Sequence, residues 1–267
     1  MDCYYINLDT QTERRAKVEE NFKRFIPADW RLHRFPALTG EASQSWKIRG
    51  GAAGCYRSHL ELLRSNKNAE APFLICEDDV LFGEASGRLL SHFVNKTGRD
   101  WDVLFPEIGI ANPQIMIQLL LLRRQLMSDY KAQLIDLATY PFFSSTCYIV
   151  NNSKLSVFTD LVEASLGEAP YAMVLRKIIM ARQVRAKFIF PFATPISEFA
   201  LDSQIQQKDT QIADFVWNEF RKLMYIDRDM NSLNKHLTAI VDDVSDPETL
   251  HFSKILAVRL STKFRSK

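Results

Sequence analysis

Residues 72–82 of this 267-residue chain, PFLICEDDVLF, place three consecutive acidic residues between two apolar runs. The run from Phe73 to Cys76 follows a proline and is too short for a helix, so it predicts a buried strand. A strand that ends in Glu77-Asp78-Asp79 places carboxylates at the rim of a sheet, where open α/β sheets bind their ligands. Adjacent carboxylates there need hydrogen bonds or a cation, and hard oxygen ligands suit Mg²⁺ or Mn²⁺. The alternative is a solvated acidic turn.

The composition is that of an ordinary globular protein, with 46% hydrophobic and 25% charged residues. A net charge of +2 gives no indication of a nucleic-acid partner. The low count of nine glycines favours a helix-rich α/β protein over a barrel or sandwich with many tight turns. The four cysteines are scattered and lack zinc-site spacing, so we expect free thiols in a reducing compartment. The apolar runs are too short to span a bilayer, and we expect a cytoplasmic protein.

Strand and helix patterns alternate on both sides of the acidic stretch. Strands are predicted near Cys3–Ile6 and Trp30–Phe35, with a helix between them, and a glycine-rich turn at residues 50–54 leads into a strong helix. Two such βα units before the acidic strand predict a largely parallel sheet with helices on both faces.

In the second half, residues 112–138 are predicted to form one long helical segment and Phe142–Val150 a single buried strand. Beyond Ser203 the strand signals stop. We therefore predict an α/β domain over residues 1–205 and a C-terminal helical extension over residues 206–267.

Three motifs, in this order and spacing, resemble glycosyltransferase family 25, the lipopolysaccharide-type galactosyltransferases and their collagen-modifying relatives. They are Tyr5-Ile6-Asn7-Leu8-Asp9 followed by Glu13-Arg14-Arg15, then Gly54-Cys55-Tyr56-Arg57-Ser58-His59-Leu60, then Leu74-Ile75-Cys76-Glu77-Asp78-Asp79-Val80. The resemblance extends over about residues 2–205. It implies a GT-A type nucleotide-sugar domain, a UDP-hexose donor, a divalent metal and transfer with inversion at the sugar.

The resemblance also implies roles for the acidic stretch. Glu77-Asp78-Asp79 resembles the family's Asp-x-Asp metal site. Residues i and i+2 of an extended segment point the same way, so Glu77 and Asp79 can converge. Asp79 is the expected metal ligand, and Glu77 is expected to contact a metal-bound water or the ribose. Asp78 is expected to contact the donor.

The same resemblance places the nucleotide at Asn7, Leu8 and Asp9, where the Asn7 amide could pair with a uracil edge. Arg14 and Arg15 start the next helix against its dipole, so an anion such as a diphosphate would compensate them; a solvated basic helix start is the alternative. The family motif also gives Ser58 and His59 a donor-site role. His59 nevertheless shares the core-facing side of its helix, and a satisfied buried histidine is the alternative.

An inverting transfer needs a group that accepts the proton of the acceptor hydroxyl, and Asp202 and Glu107 are the candidates. The chain departs from the family pattern at two places. Pro106-Glu107 replaces the usual Leu-Gly, and Pro170-Tyr171-Ala172 lacks the expected acid. This leaves open a catalytically impaired nucleotide-sugar or glycan-binding relative. A receiver-like signalling domain is disfavoured, because receivers carry the acid cluster on their first strand.

The last stretch, residues 251–267, is basic and carries apolar residues at helical spacing. Such a helix can lie on an anionic inner leaflet, which suits a lipid-linked acceptor; a packed helix with a solvated basic end is the alternative. The sequence therefore predicts a metal-dependent transferase that moves a hexose, with galactose as first candidate, from a UDP-sugar to a bacterial surface glycan such as lipopolysaccharide.

Overall fold

The computed structural model of the chain describes residues 1–96, 99–199, 211–244 and 246–261. Its strands are β1 (Asp2–Asn7), β2 (Arg31–Pro36), β3 (Phe73–Glu77), β4 (Val103–Phe105), β5 (Gly109–Ile110), β6 (Gln133–Asp136), β7 (Phe142–Phe143), β8 (Cys147–Val150) and β9 (Ala186–Phe190). Its helices are α1 (Thr12–Phe25), α2 (Gly50–Ser65), α3 (Ser86–Asn95), α4 (Pro113–Ser128), α5 (Leu155–Ala164), α6 (Tyr171–Met180), α7 (Gln211–Met224), α8 (Met230–Val244) and α9 (Pro247–Leu260).

Within the described residues, seven strands form one sheet in the order β2-β1-β3-β8-β4-β9-β6. β1 pairs in parallel with both β2 and β3, and β4 pairs in parallel with β9. β8 runs antiparallel to β3 and β4, and β6 runs antiparallel to β9. Five strands thus point one way and two point the other. The mixed, mostly parallel sheet confirms the α/β prediction.

The acidic strand β3 lies inside the sheet and is buried on both faces. Phe73 and Ile75 pack into one core cluster, whereas Leu74 and Cys76 pack into the other. This alternation follows from the two-residue period of a strand, and it explains why the sequence shows a continuous apolar run there. The strand therefore carries the carboxylates out of the core at its end.

The prediction of one helical segment over residues 112–138 is wrong. α4 ends at Ser128, and Tyr130 adopts a positive φ of 52° that takes the chain out of the helix. Residues 133–136 then form β6 at the edge of the sheet, because pairing with β9 overrides the local pattern. The predicted single strand Phe142–Val150 is likewise divided, into β7 and β8.

The chain divides into two compact units, Met1–Arg228 and Asp229–Lys267. The predicted boundary after residue 205 falls before α7, which this division assigns to the first unit. Arg221 of α7 is bonded to Glu107, and Phe192 bridges to Tyr225 just after the helix. In the second unit α9 exposes apolar side chains, among them Phe252 and Ile255. None of the described helices is both long and apolar enough to cross a bilayer.

Candidate functional site

A cavity of about 310 Å³ opens at the carboxyl ends of β1 and β3. It is lined by Ile6, Leu8, Gln11, Arg14, Ala37, Leu38, Thr39, Gly40, Gly50, Gly51, Gly54, Cys55, Ser58, His59, Glu77, Asp78 and Asp79. The three sequence motifs thus meet around one space. Of the predicted donor-site residues, Asn7, Asp9 and Arg15 are not part of the lining.

Asp79 presents a buried carboxylate oxygen to this site. Its Oδ1 has no hydrogen-bond partner among the described residues. Burial, reinforced by the negative charge of Glu77, raises the pKa of Asp79 to about 7. Its backbone oxygen accepts from the Ser197 amide at 2.7 Å, which fixes the turn. A buried oxygen left without a partner is suited to a hard divalent cation, so Asp79 meets the requirement for the metal that the resemblance implies.

Glu77, at the end of β3, is held more firmly. Its Oε1 accepts from the Ser145 hydroxyl at 2.6 Å and lies 3.5 Å from His59 Nε2. Burial raises the pKa of Glu77, but the contacts with His59 and Ser145 and the charge of Arg221 outweigh it, so the net shift is downward. The neighbouring carboxylates therefore have pKa values that are moved apart, with Glu77 charged first.

Asp78 points both of its oxygens at the protein. Oδ1 pairs with Arg14 at 2.9 Å, and Oδ2 accepts from the Asn7 amide at 2.7 Å. Burial raises the pKa of Asp78, and the Arg14 charge opposes the shift. The Arg14 guanidinium is thereby held at the cavity, where its buried Nε has no partner in the described part of the chain. Asp78 therefore fixes the position of this arginine at the cavity.

The Asn7 side chain lies at the centre of a closed network. Its amide nitrogen also donates to the Gln11 carbonyl, and its oxygen accepts from Arg15 and Arg34. The structure thus uses both ends of the amide within the protein, whereas the sequence suggested a uracil contact. Asp9 is exposed, and its ion pair with Arg34 lowers its pKa. Arg34 lies on β2 and has no sequence signal that would single it out.

Two glycines bring the loop after β2 against the start of α2. A Cβ on Gly54 would lie 2.6 Å from the Leu38 carbonyl oxygen, and one on Gly40 only 2.4 Å from that of Gly50. Ser58 secures the contact, because its hydroxyl accepts from the Leu38 amide and donates to the Gly54 carbonyl. The first turn of α2 carries no acidic residue and faces the cavity, an arrangement that favours an anion.

His59 is fully buried behind Glu77. Its Nδ1 lies 3.0 Å from the Tyr148 hydroxyl, and its ring stacks on that of Tyr171 with centroids 4.3 Å apart. The Tyr148 and Tyr171 hydroxyls are in turn 2.8 Å apart. Tyr171 belongs to the Pro170-Tyr171-Ala172 segment that lacks the family's acid. The sequence does not predict Tyr148 and Ser145 as site residues. They belong to β8 and the segment before it, which are distant along the chain from the three motifs.

The two catalytic candidates have different outcomes. Glu107 is fully buried away from the cavity; its Oε1 accepts from Ser144, and its Oε2 pairs with Arg221 at 2.6 Å. With both oxygens satisfied it has the geometry of a structural ion pair. Asp202 lies outside the described residues. The segment that leads to it runs beside the acidic turn, where Val80 bridges to Ile196.

Comparison with protein families gives a match to the model of glycosyltransferase family 25 (LPS biosynthesis protein) over residues 1–173. A search of curated proteins gives no match. Similar solved structures include a glycosyltransferase involved in glycosylation of the major capsid of PBCV-1, at 10% identity and a TM-score of 0.38, covering 61% of this chain and 65% of that one. The galactosyltransferase LgtC, in complex with donor and acceptor sugar analogues, has 12% sequence identity and a TM-score of 0.36, and the match covers 70% of this chain and 73% of that one. The inositol-1-phosphate CTP transferase from T. maritima has 10% identity and a TM-score of 0.35, and the match covers 80% of this chain and 76% of that one. The chain thus spans slightly less than two thirds of the capsid glycosyltransferase.

Proposed function

The chain belongs to glycosyltransferase family 25, and from this premise we propose that it transfers a hexose from a UDP-sugar to a bacterial surface glycan such as lipopolysaccharide. Galactose is the first candidate for the sugar, with inversion at its anomeric carbon. The observation that carries the proposal is one cavity lined by Asp79, the start of α2 and Arg14, where Asp79 Oδ1 has no hydrogen-bond partner among the described residues.

These groups divide the donor between them. The diphosphate is bound by the first turn of α2 at Gly50 and Gly51 and by the guanidinium of Arg14, all of which line the cavity. Asp79, with Glu77 beside it, would hold Mn²⁺ or Mg²⁺, and the ion would supply the positive charge that a diphosphate leaving group needs. Asn7 and Asp78 act behind these residues by fixing the position of Arg14.

The proton of the acceptor hydroxyl needs a base, and Asp202 is the residue that we assign to this role. Asp202→Asn is expected to lower kcat by about 10²- to 10⁴-fold while donor binding persists. Full turnover by this variant would remove Asp202 from the mechanism. Glu107 lacks a free oxygen for the task.

A thermal-shift screen of the full chain against nucleotide sugars, with and without Mn²⁺, tests the donor assignment. We expect UDP-sugars to raise Tm only with Mn²⁺; at 100 times Kd, ligand binding adds about 2.7 kcal/mol. Asp79→Asn should abolish the shift. The matched control Asp129→Asn, at an exposed residue after α4, should keep it. The absence of a response to any UDP compound would contradict the proposal.

A catalytically impaired binding relative is the second candidate, favoured by Ala172 at the position of the missing acid. It shares the donor shift but not turnover. Donor hydrolysis or transfer in the presence of Mn²⁺ therefore separates the two candidates.

We further propose that the chain is cytoplasmic and that α9 contacts the inner leaflet, where a lipid-linked acceptor is found. Phe252, Ile255 and Val258 are each more than half exposed, and Lys254 and Arg259 lie among them. Co-sedimentation with anionic liposomes should weaken in a Phe252→Ser, Ile255→Ser double variant. Val157→Ser, which removes an exposed apolar side chain of α5, is the control. Equal sedimentation of all three proteins would exclude membrane binding by α9.

A further inference from the structure

Three donor atoms of different chemistry meet on one wall of the cavity. They belong to Cys55, His59 and Glu77, and all lie within 4.8 Å of one another. Cys55 and His59 are four residues apart on α2 and so share a helix face, while Glu77 comes from the end of β3. Because the third donor is distant in sequence, this cluster does not show as a zinc motif, and the sequence predicts a free thiol at Cys55. His59 is fully buried, and its Nε2 finds no hydrogen-bond partner in the residues that the structure describes.

We propose that Cys55, His59 and Glu77 form a zinc site next to the hard-cation position at Asp79, with Glu77 between the two positions. A sulfur, an imidazole nitrogen and a carboxylate oxygen are typical ligands of Zn²⁺, whereas Mg²⁺ and Mn²⁺ prefer oxygen alone. Three protein ligands leave a fourth position toward the cavity. This inference goes beyond the donor assignment and does not depend on it.

The spacing of the donor atoms is close to that of a tetrahedral site. Zinc bonds of 2.0 to 2.3 Å place neighbouring ligand atoms about 3.5 Å apart. His59 Nε2 and Glu77 Oε1 are already at 3.5 Å. No pair is more than 4.8 Å apart, so the cluster closes by at most about 1.3 Å, which rotation of the Cys55 side chain supplies. The thiol proton of Cys55 goes to solvent as the Zn–S bond forms, and His59 contributes the Nε2 lone pair.

The groups behind the ligands have the arrangement that orients metal-binding side chains. An Nδ1–H of His59 that donates to the Tyr148 hydroxyl leaves the Nε2 lone pair directed at Cys55 and Glu77. Tyr171 holds the ring by stacking, and Ser145 fixes the Glu77 carboxylate. The competing arrangement is a core histidine whose Nε2–H points at Glu77 without a metal.

Cobalt titration of the metal-free full-length chain distinguishes the two arrangements. Co²⁺ bound through a thiolate gives a sulfur-to-cobalt charge-transfer band in the near ultraviolet, and one equivalent of Zn²⁺ should remove it. Cys55→Ser should abolish the band and weaken Zn²⁺ binding at least about 100-fold. Tyr148→Phe should keep the band and weaken binding about 10-fold. Circular dichroism verifies that each variant is folded.

Two controls locate the site. Cys147→Ala removes a buried thiol of the other core cluster, and Asp79→Asn removes the hard-cation ligand; the band should persist in both. Absence of the band in the unmodified chain, its persistence in Cys55→Ser, or its loss in Asp79→Asn would each overturn the proposal. Because no nucleotide is present, failure here is distinct from failure of the UDP-sugar assignment.

Discussion

Two glutamates at the same end of the sheet contact neighbouring serines and nevertheless have opposite surroundings. Ser144 donates to Glu107 and Ser145 to Glu77, each at 2.6 Å. Glu107 is closed to solvent, and its second oxygen pairs with Arg221. Glu77 borders the cavity next to Asp79, which has a buried oxygen without a hydrogen-bond partner in the described part of the chain.

The difference shows how the same residue type is closed into an ion pair in one place and left at the edge of a cavity in another. At Glu107 every charge has a partner, and Arg221 also donates to Thr146, so the pair attaches α7 to the sheet. At Asp79, beside Glu77, one buried carboxylate oxygen has no hydrogen-bond partner among the residues that the structure describes. A buried site with unmatched charge is less stable alone and is poised to bind a cation.

The largest expected effect comes from breaking the buried ion pair between Glu107 and Arg221. Glu107→Ala leaves Arg221 buried without its carboxylate and should lower the free energy of unfolding by about 3 to 5 kcal/mol, measured by urea denaturation. Glu168→Ala, which breaks an exposed pair with Lys177, is the control and should change it by less than about 1 kcal/mol.

A double variant separates the charge from the packing. Glu107→Leu combined with Arg221→Met replaces both partners by apolar groups and should recover most of the loss. If Glu107→Ala were no more harmful than Glu168→Ala, the pair would not be what attaches α7.

The next largest effect is at Asp79, where a substitution is expected to raise the free energy of unfolding instead of lowering it. The pKa of Asp79 is about 7 in the folded chain and 3.8 in the reference state, so folding takes up a proton between these values. Its contribution to stability therefore decreases as pH rises through this window. Without metal, Asp79→Asn should raise the free energy of unfolding by up to about 4 kcal/mol at pH 8 and by little at pH 4. Equal effects at both pH values would contradict the shifted pKa.

The sequence predicts the surroundings of Glu77 and Asp79 better than those of Glu107, because the signal for the first lies in neighbouring residues of the chain. Glu77, Asp78 and Asp79 follow a strand that is buried on both faces, and such a strand shows as one continuous apolar run. Glu107 also follows a strand, and from the sequence it is a candidate for the group that accepts the acceptor's proton. Arg221, which pairs with Glu107, lies on α7, and α7 is distant in sequence. Only the structure therefore shows that Glu107 is already paired.

The same reasoning accounts for the remaining differences. Asn7 has the residue type for base recognition, but Arg34 of the neighbouring strand already occupies its oxygen. Tyr148 and Ser145 complete the surroundings of His59 and Glu77 from β8 and the segment before it. β6 depends on pairing with β9, which overrides a helical pattern. Each miss involves a partner that is brought close by the sheet and not by spacing along the chain.

The smallest effect distinguishes the two serines and gives the comparison its sharpest test. Ser144→Ala removes a donor from a carboxylate that water cannot reach and should lower the free energy of unfolding by about 1.5 kcal/mol. Ser145 is partly exposed, so water can take the place of its hydroxyl in Ser145→Ala, and the free energy of unfolding should fall by less than about 0.5 kcal/mol.

The Ser145 hydrogen bond contributes to the lowered pKa of Glu77, so Ser145→Ala raises that pKa. The Mn²⁺-dependent UDP-sugar thermal shift should then require a higher pH in Ser145→Ala and be unchanged in Ser144→Ala. If both variants shifted that pH dependence equally, the two glutamates would not be as separate as their contacts indicate.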